Sequence, residues 1–163
     1  EMVPGHLTDH YDPRANVLRL SEDVYHGRTV AAAGVAAHEA GHAIQHARGF
    51  AAARVRQTLV PTAQIGSSLA FPLILGGMFI GLADLIMVGV IMFAAAVAFQ
   101  IVTLPVEFDA SRRALAALNV GNTLPPEQVR GARRVLTAAA LTYVAATLIA
   151  VLQLLYFLGL ARR

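Results

Sequence analysis

The sequence predicts a mainly α-helical integral membrane protein, with about three transmembrane helices and a short β-hairpin ahead of them. Composition is the first reason. Hydrophobic residues make up 56% of the 163-residue chain and charged residues 14%, with a mean hydropathy of +0.58. A soluble domain this small has a large surface for its volume and needs more charge to cover it. The second reason is distribution. Uncharged stretches separate Arg56 from Asp84, Asp84 from Glu107, and Arg134 from Arg162. Each reaches the roughly 20 residues that the hydrocarbon core demands. Third, residues 1–28 are polar and carry turn signals, so a small non-membrane element precedes the spans.

Leu7 to Tyr11 and the run Val17, Leu18, Leu20 flank the turn signal Asp12-Pro13-Arg14-Ala15-Asn16, and together they predict the hairpin. Ser21 followed by Glu22 and Asp23 resembles a helix start, with acid in the first turn. Thr29 to Ala47 is rich in Ala and Val and free of Pro, which predicts a helix stopped by Gly49. Ala51 to Thr58 is expected as a second short helix with exposed Arg54 and Arg56, broken by Pro61. The first span follows, Ala63 to Ala83, bent at Pro72, with Gly66, Ser67, Ser68, Gly76 and Gly77 available for close helix contact. Asp84 marks a tight turn in the headgroup region, and the second span runs from Leu85 to Leu104, ended by Pro105. Residues 106–118 form an Ala- and Arg-rich helix, and Asn119 to Pro126 a loop. Glu127 to Arg134 begin a helix that continues into the third span, ending near Leu160.

All 13 basic residues are Arg, and the net charge is only +3. They flank the apolar segments instead of forming one stripe, which points to a lipid bilayer and away from nucleic acid. A hairpin turning at Asp84 returns residues 105–134 to the side of residues 1–58. Arg14, Arg19, Arg28, Arg48, Arg54 and Arg56 lie on one of these segments, and Arg112, Arg113, Arg130, Arg133 and Arg134 on the other. The positive-inside rule then predicts a multi-pass cell-membrane protein with both segments facing the cytoplasm. Arg162 and Arg163 fall on the opposite side. The chain has no cysteine, so disulfides are excluded and a metal site must use His and carboxylates.

All six histidines precede residue 47, and two of them stand in His38-Glu39-Ala40-Gly41-His42. Four residues apart on a helix, the two imidazoles share one face and can bind one zinc ion, with Glu39 beside them to take a proton from water. Simple helix packing is the bland alternative, but the rest of this helix is Ala, Val, Gly and Ile, where unpartnered ionisable groups are costly. A catalytic zinc takes a third protein ligand. Glu107 is the candidate, because the hairpin returns it to the face of His38 and His42; the competing role is pairing with Arg112 or Arg113. Asp109, two residues on, points elsewhere on a helix and supports the site or meets solvent. His46 lies one turn beyond His42, too far to join the same ion, and suits the helix end. Asp9, His10, Tyr11 and Asp12 either define the turn or supply, through His10 or Tyr11, an oxyanion or ligand-orienting group.

With these strings in view, the chain resembles the bacterial family of putative neutral zinc metallopeptidases. The resemblance rests on Leu7 to Pro13, Leu20-Ser21, Val35 to Gln45 and Leu104 to Ser111, and it covers nearly the whole chain. It implies a multi-pass membrane protein with a further span upstream. The arrangement is also similar to the Ste24-like membrane proteases, which implies a zincin-like zinc helix and Glu107 as third ligand. Ser111 stands where those proteases carry Asp, which leaves that Asp's supporting role unassigned here. In that likeness an edge strand holds the substrate as an added strand, a task Val17 to Ser21 could serve.

The expected organisation is a cytoplasmic-face hairpin and zinc helix over 1–58, a transmembrane hairpin over 59–104, a cytoplasmic-face helix and loop over 105–134, and a last span over 135–163. The expected function is that of a metalloendopeptidase acting on a peptide or membrane-protein substrate. One Zn2+ per chain is held by His38, His42 and Glu107, with Glu39 as general base. The alternatives are a non-catalytic zinc-binding membrane scaffold, closed by a fourth ligand such as His10 or Asp12, and a transport or interaction protein in which the motif is incidental.

Overall fold

Helices dominate the computed structural model, which describes residues 1–120 and 123–161. Their order after three short strands is α1 (Glu22–Tyr25), α2 (Val30–Ala47), α3 (Ala51–Ile80), α4 (Ala83–Val120) and α5 (Pro126–Ala161). The last three are each long and apolar enough to cross a membrane. Arg162 and Arg163, and the Gly121-Asn122 part of the expected loop, lie outside the described residues.

The strands are β1 (Met2–Val3), β2 (His10–Asp12) and β3 (Val17–Ser21), in the order β1-β3-β2. β2 and β3 form the expected antiparallel hairpin, with Tyr11 opposite Leu18. Asp12 builds its turn by accepting from the Arg14 and Ala15 amides, and Asn16 takes the left-handed conformation. The first strand is shorter than expected: Leu7 has φ 57° and is 97% exposed, so pairing starts only at His10. The reading of Val17 to Ser21 as a free edge fails. β1 pairs in parallel with Leu20 and Ser21, which makes β3 the central strand. Two residues are too few for alternation to announce a strand, so β1 is invisible in the sequence.

The ends of α2 follow its residues. Thr29 caps the start by accepting from the Ala32 amide. At the other end Gly49 adopts φ 61°, its amide reaching the His46 carbonyl while Phe50 reaches Gln45. This is the paired bonding of a glycine-terminated helix, and it satisfies two orphan carbonyls. The same device ends α3, with Gly81 at φ 71° and the Leu82 amide on the Gly77 carbonyl. The turn is therefore at Gly81 and Leu82, and Asp84 sits in the first turn of α4, where a carboxylate favours the helix dipole.

The prolines do not divide the chain as expected. α3 runs unbroken through Pro61 and Pro72, and α4 through Pro105. Each proline removes one backbone bond, but long apolar helices tolerate that loss where the rest of the ladder and the packing persist. Arg56 is half-buried, not exposed.

The chain forms two compact units. One comprises Glu1–Arg54 and Pro105–Leu141, where Leu118, Val129 and Ala132 form a core joined by Val30, Ala37, Leu115 and Leu124. The other comprises Val55–Leu104 with the chain from Thr142 onward. Its core gathers Ala70, Ile74, Val90, Phe93, Val97, Ala150 and Phe157, and Phe71, Phe93 and Phe157 meet edge to face. Gly66 lies against the Met92 carbonyl and Gly89 against that of Ala70, so α3 and α4 approach at backbone distance. Ile91, Ile101, Ile149, Leu152 and Leu155 remain exposed, an apolar surface that water would penalise.

Candidate metal centre

His38 and His42 occupy successive turns of α2, their rings edge to face with centroids 4.8 Å apart. Glu107, on α4, is 3% exposed and faces both. Its Oε2 lies 3.1 Å from His38 Nε2 and 3.7 Å from His42 Nε2. One ligand-type atom from each of the three residues lies within 4.8 Å of the others. Donors held by one tetrahedral zinc at its usual bond lengths stand roughly 3.3 Å apart. The 3.1 and 3.7 Å separations from Glu107 bracket that value, and two imidazole nitrogens with one carboxylate oxygen are a donor set that zinc takes.

Gly41 makes this convergence possible. A Cβ built there would stand 2.3 Å from the Ala110 carbonyl oxygen, so α2 and α4 touch backbone to backbone between the histidines and Glu107. The pairing of Glu107 with Arg112 or Arg113 gives way to another arrangement. Both arginines reach Asp109, which is 6% exposed and also accepts from Gln45 Nε2 at 3.0 Å. Asp109 is thus a buried anchor beside the site, not a solvated group.

Each imidazole is also held on its far side. Ser111 Oγ lies 3.1 Å from His38 Nδ1. Gln45 Oε1 lies 3.0 Å from His42 Nδ1. Burial disfavours a proton on His42, but the hydrogen bond and charge of Glu107, then Gln45 and Glu39, outweigh it and raise its pKa. More of this imidazole is protonated near neutrality than in free histidine, so a metal entering here displaces a proton.

Glu39 is buried beside the pair, and its Oε2 accepts the Tyr11 backbone N–H at 3.0 Å. Tyr11 belongs to β2, so an edge amide of the sheet points at this carboxylate. The Tyr11 hydroxyl is committed elsewhere, 2.9 Å from both Asn16 Oδ1 and His46 Nδ1. His46 accordingly sits at the helix end and ties α2 to the hairpin. His10 Nδ1 bonds the Thr8 carbonyl, and Asp12 holds Arg19 at 2.6 Å. These contacts favour the turn-defining role for the cluster. Gln45 is the residue that sequence reasoning passed over. Its spacing of three from His42 on one helix was the available signal.

A family model described as "Putative neutral zinc metallopeptidase" matches residues 1–162. "Putative membrane protease YugP" of Bacillus subtilis (strain 168) is 48% identical over 157 residues, covering 96% of this chain and 70% of that protein. No solved structure matches the chain.

Proposed function

The chain belongs to the putative neutral zinc metallopeptidase family, and from that premise we propose that it is a membrane-embedded, zincin-like metalloendopeptidase with Glu39 as general base. The observation that carries this reading is the meeting of His38 Nε2, His42 Nε2 and Glu107 Oε2, residues brought from two helices far apart in sequence. These three would hold one zinc ion per chain. Bound there, zinc supplies Lewis acidity toward the scissile carbonyl and makes water a stronger acid. The Glu39 carboxylate takes a proton from the attacking water as its oxygen adds to the carbonyl carbon. It returns that proton to the amine nitrogen as the C–N bond breaks. His38 and His42 keep their Nε2 atoms toward Glu107 because Ser111 and Gln45 engage their Nδ1 atoms.

The substrate peptide is proposed to add along β2, the sheet edge that carries the Tyr11 amide toward Glu39. The scaffold alternative is less well supported. Closed structural zinc sites use four protein donors, whereas among the described residues the cluster has three, and His10 and Asp12 are engaged in the turn.

Purified protein is expected to contain one zinc per chain and to cleave unfolded membrane or reporter substrates. Chelation should abolish cleavage and added zinc restore it. Full activity in the zinc-stripped protein would overturn the proposal, and zinc retained without any cleavage would favour the scaffold.

The arginine distribution supports a cytoplasmic site. Because the chain has no cysteine, Ala15→Cys and Ala83→Cys report topology cleanly. An impermeant thiol reagent applied outside intact cells should label only Ala83→Cys; the reverse pattern puts the site outside.

A further inference from the structure

We infer that Gln45 is a positioning residue that sets the tautomer of His42 and thereby selects Nε2 as its ligand atom. The inference rests on the proposed zinc site and concerns a residue outside its three ligands.

Gln45 is 1% exposed, among the most deeply buried side chains of the protein. The side-chain amide could face either way, and the two orientations ask opposite things of His42. The surroundings decide between them. Nε2 lies 2.8 Å from the Val106 carbonyl and 3.0 Å from Asp109 Oδ2. A carbonyl and a carboxylate both accept only, so the NH2 end must face them. Oε1 is then left toward His42 Nδ1 at 3.0 Å. A carbonyl oxygen can only accept, so Nδ1 must carry the proton, and the lone pair of neutral His42 sits on Nε2, the atom directed at Glu107.

Asp109 is itself held by Arg112 and Arg113, and the Arg113 guanidinium lies 5.7 Å from the centre of the Phe50 ring. Phe50 follows the Gly49 stop of α2. The amide of Gln45 is therefore clamped from both helices. Ser111 differs, because a hydroxyl donates or accepts and so orients His38 without dictating its tautomer.

The test uses the full chain with cobalt in place of zinc. Protons on metal-bound imidazoles give hyperfine-shifted resonances, seen only when a hydrogen bond slows exchange with water. The native protein should show one for each histidine. Gln45→Met keeps the side-chain volume and removes the acceptor. It should lose the His42 resonance alone and bind zinc about 10- to 100-fold more weakly, with helix content unchanged. Gln45→Glu restores an acceptor and should recover the resonance, even though its second oxygen faces Val106 and Asp109 and lowers stability. Native resonances and affinity in Gln45→Met would overturn the inference, as would Gln45→Glu behaving like Gln45→Met. A native protein that binds no cobalt overturns the zinc site and this inference together, which separates that failure from the other two.

Discussion

Glu39→Gln is expected to keep one zinc per chain while peptide cleavage falls by about 10²- to 10⁴-fold, the range supplied by a positioned acid–base group. The amide matches the carboxylate in shape but cannot accept the proton of water. Glu39 lies outside the cluster of His38, His42 and Glu107, so metal content should not follow activity. Gln is also the informative substitution because its amide oxygen can still accept from the Tyr11 N–H. Ala would leave that amide without its partner and confound chemistry with a loosened strand. Metal analysis and initial rates on the same preparation decide the matter. Sustained turnover in Glu39→Gln removes Glu39 from the mechanism.

Gly41→Ala should be severely damaging to the proposed metal site, because the methyl it adds meets backbone across the contact of α2 and α4. The added carbon would stand 2.3 Å from the Ala110 carbonyl oxygen and 3.2 Å from its Cα. No rotamer change relieves a contact with backbone, so α2 and α4 must part by roughly 1 Å, at a cost at or above the usual ~1–3 kcal/mol of overpacking. That displacement carries His38 and His42 away from Glu107, and zinc affinity is expected to fall by roughly 10²-fold or more. Gly34→Ala is the control on the same helix. Its Cβ would meet Ala132 Cβ at 3.7 Å, an ordinary contact. Helix propensity there favours Ala by up to about 1 kcal/mol. Isothermal titration with zinc and thermal unfolding of both variants test the contrast. Native zinc affinity in Gly41→Ala would mean that close approach at this glycine does not set the site.

Local features of the fold are legible in the residues because local chemistry produces them. Thr29 and Gly49 bound α2 through bonds made within a few positions, and Asp12 to Asn16 turn the chain through bonds to their own amides. The prolines mislead for the complementary reason. A break at Pro61 or Pro105 follows from propensity alone, whereas packing over a long apolar helix overrides one missing bond. β1 escapes because its pairing with Leu20 and Ser21 has no trace in two residues.

Within the site the division is similar. His38, Glu39 and His42 stand out as candidates by helical spacing, and three membrane-length helices by composition. Those are properties of one element at a time, written in periodicity and hydropathy. Which groups stand behind the imidazoles is not of that kind. That Asp109 accepts from Gln45, that Ser111 reaches His38 across 73 positions, and that Gln45 spans from His42 to Val106 all depend on how α2 and α4 seat against each other. Their seating is set by a glycine against a carbonyl and by the need of buried polar atoms for partners, and those partners exist only once the helices have met.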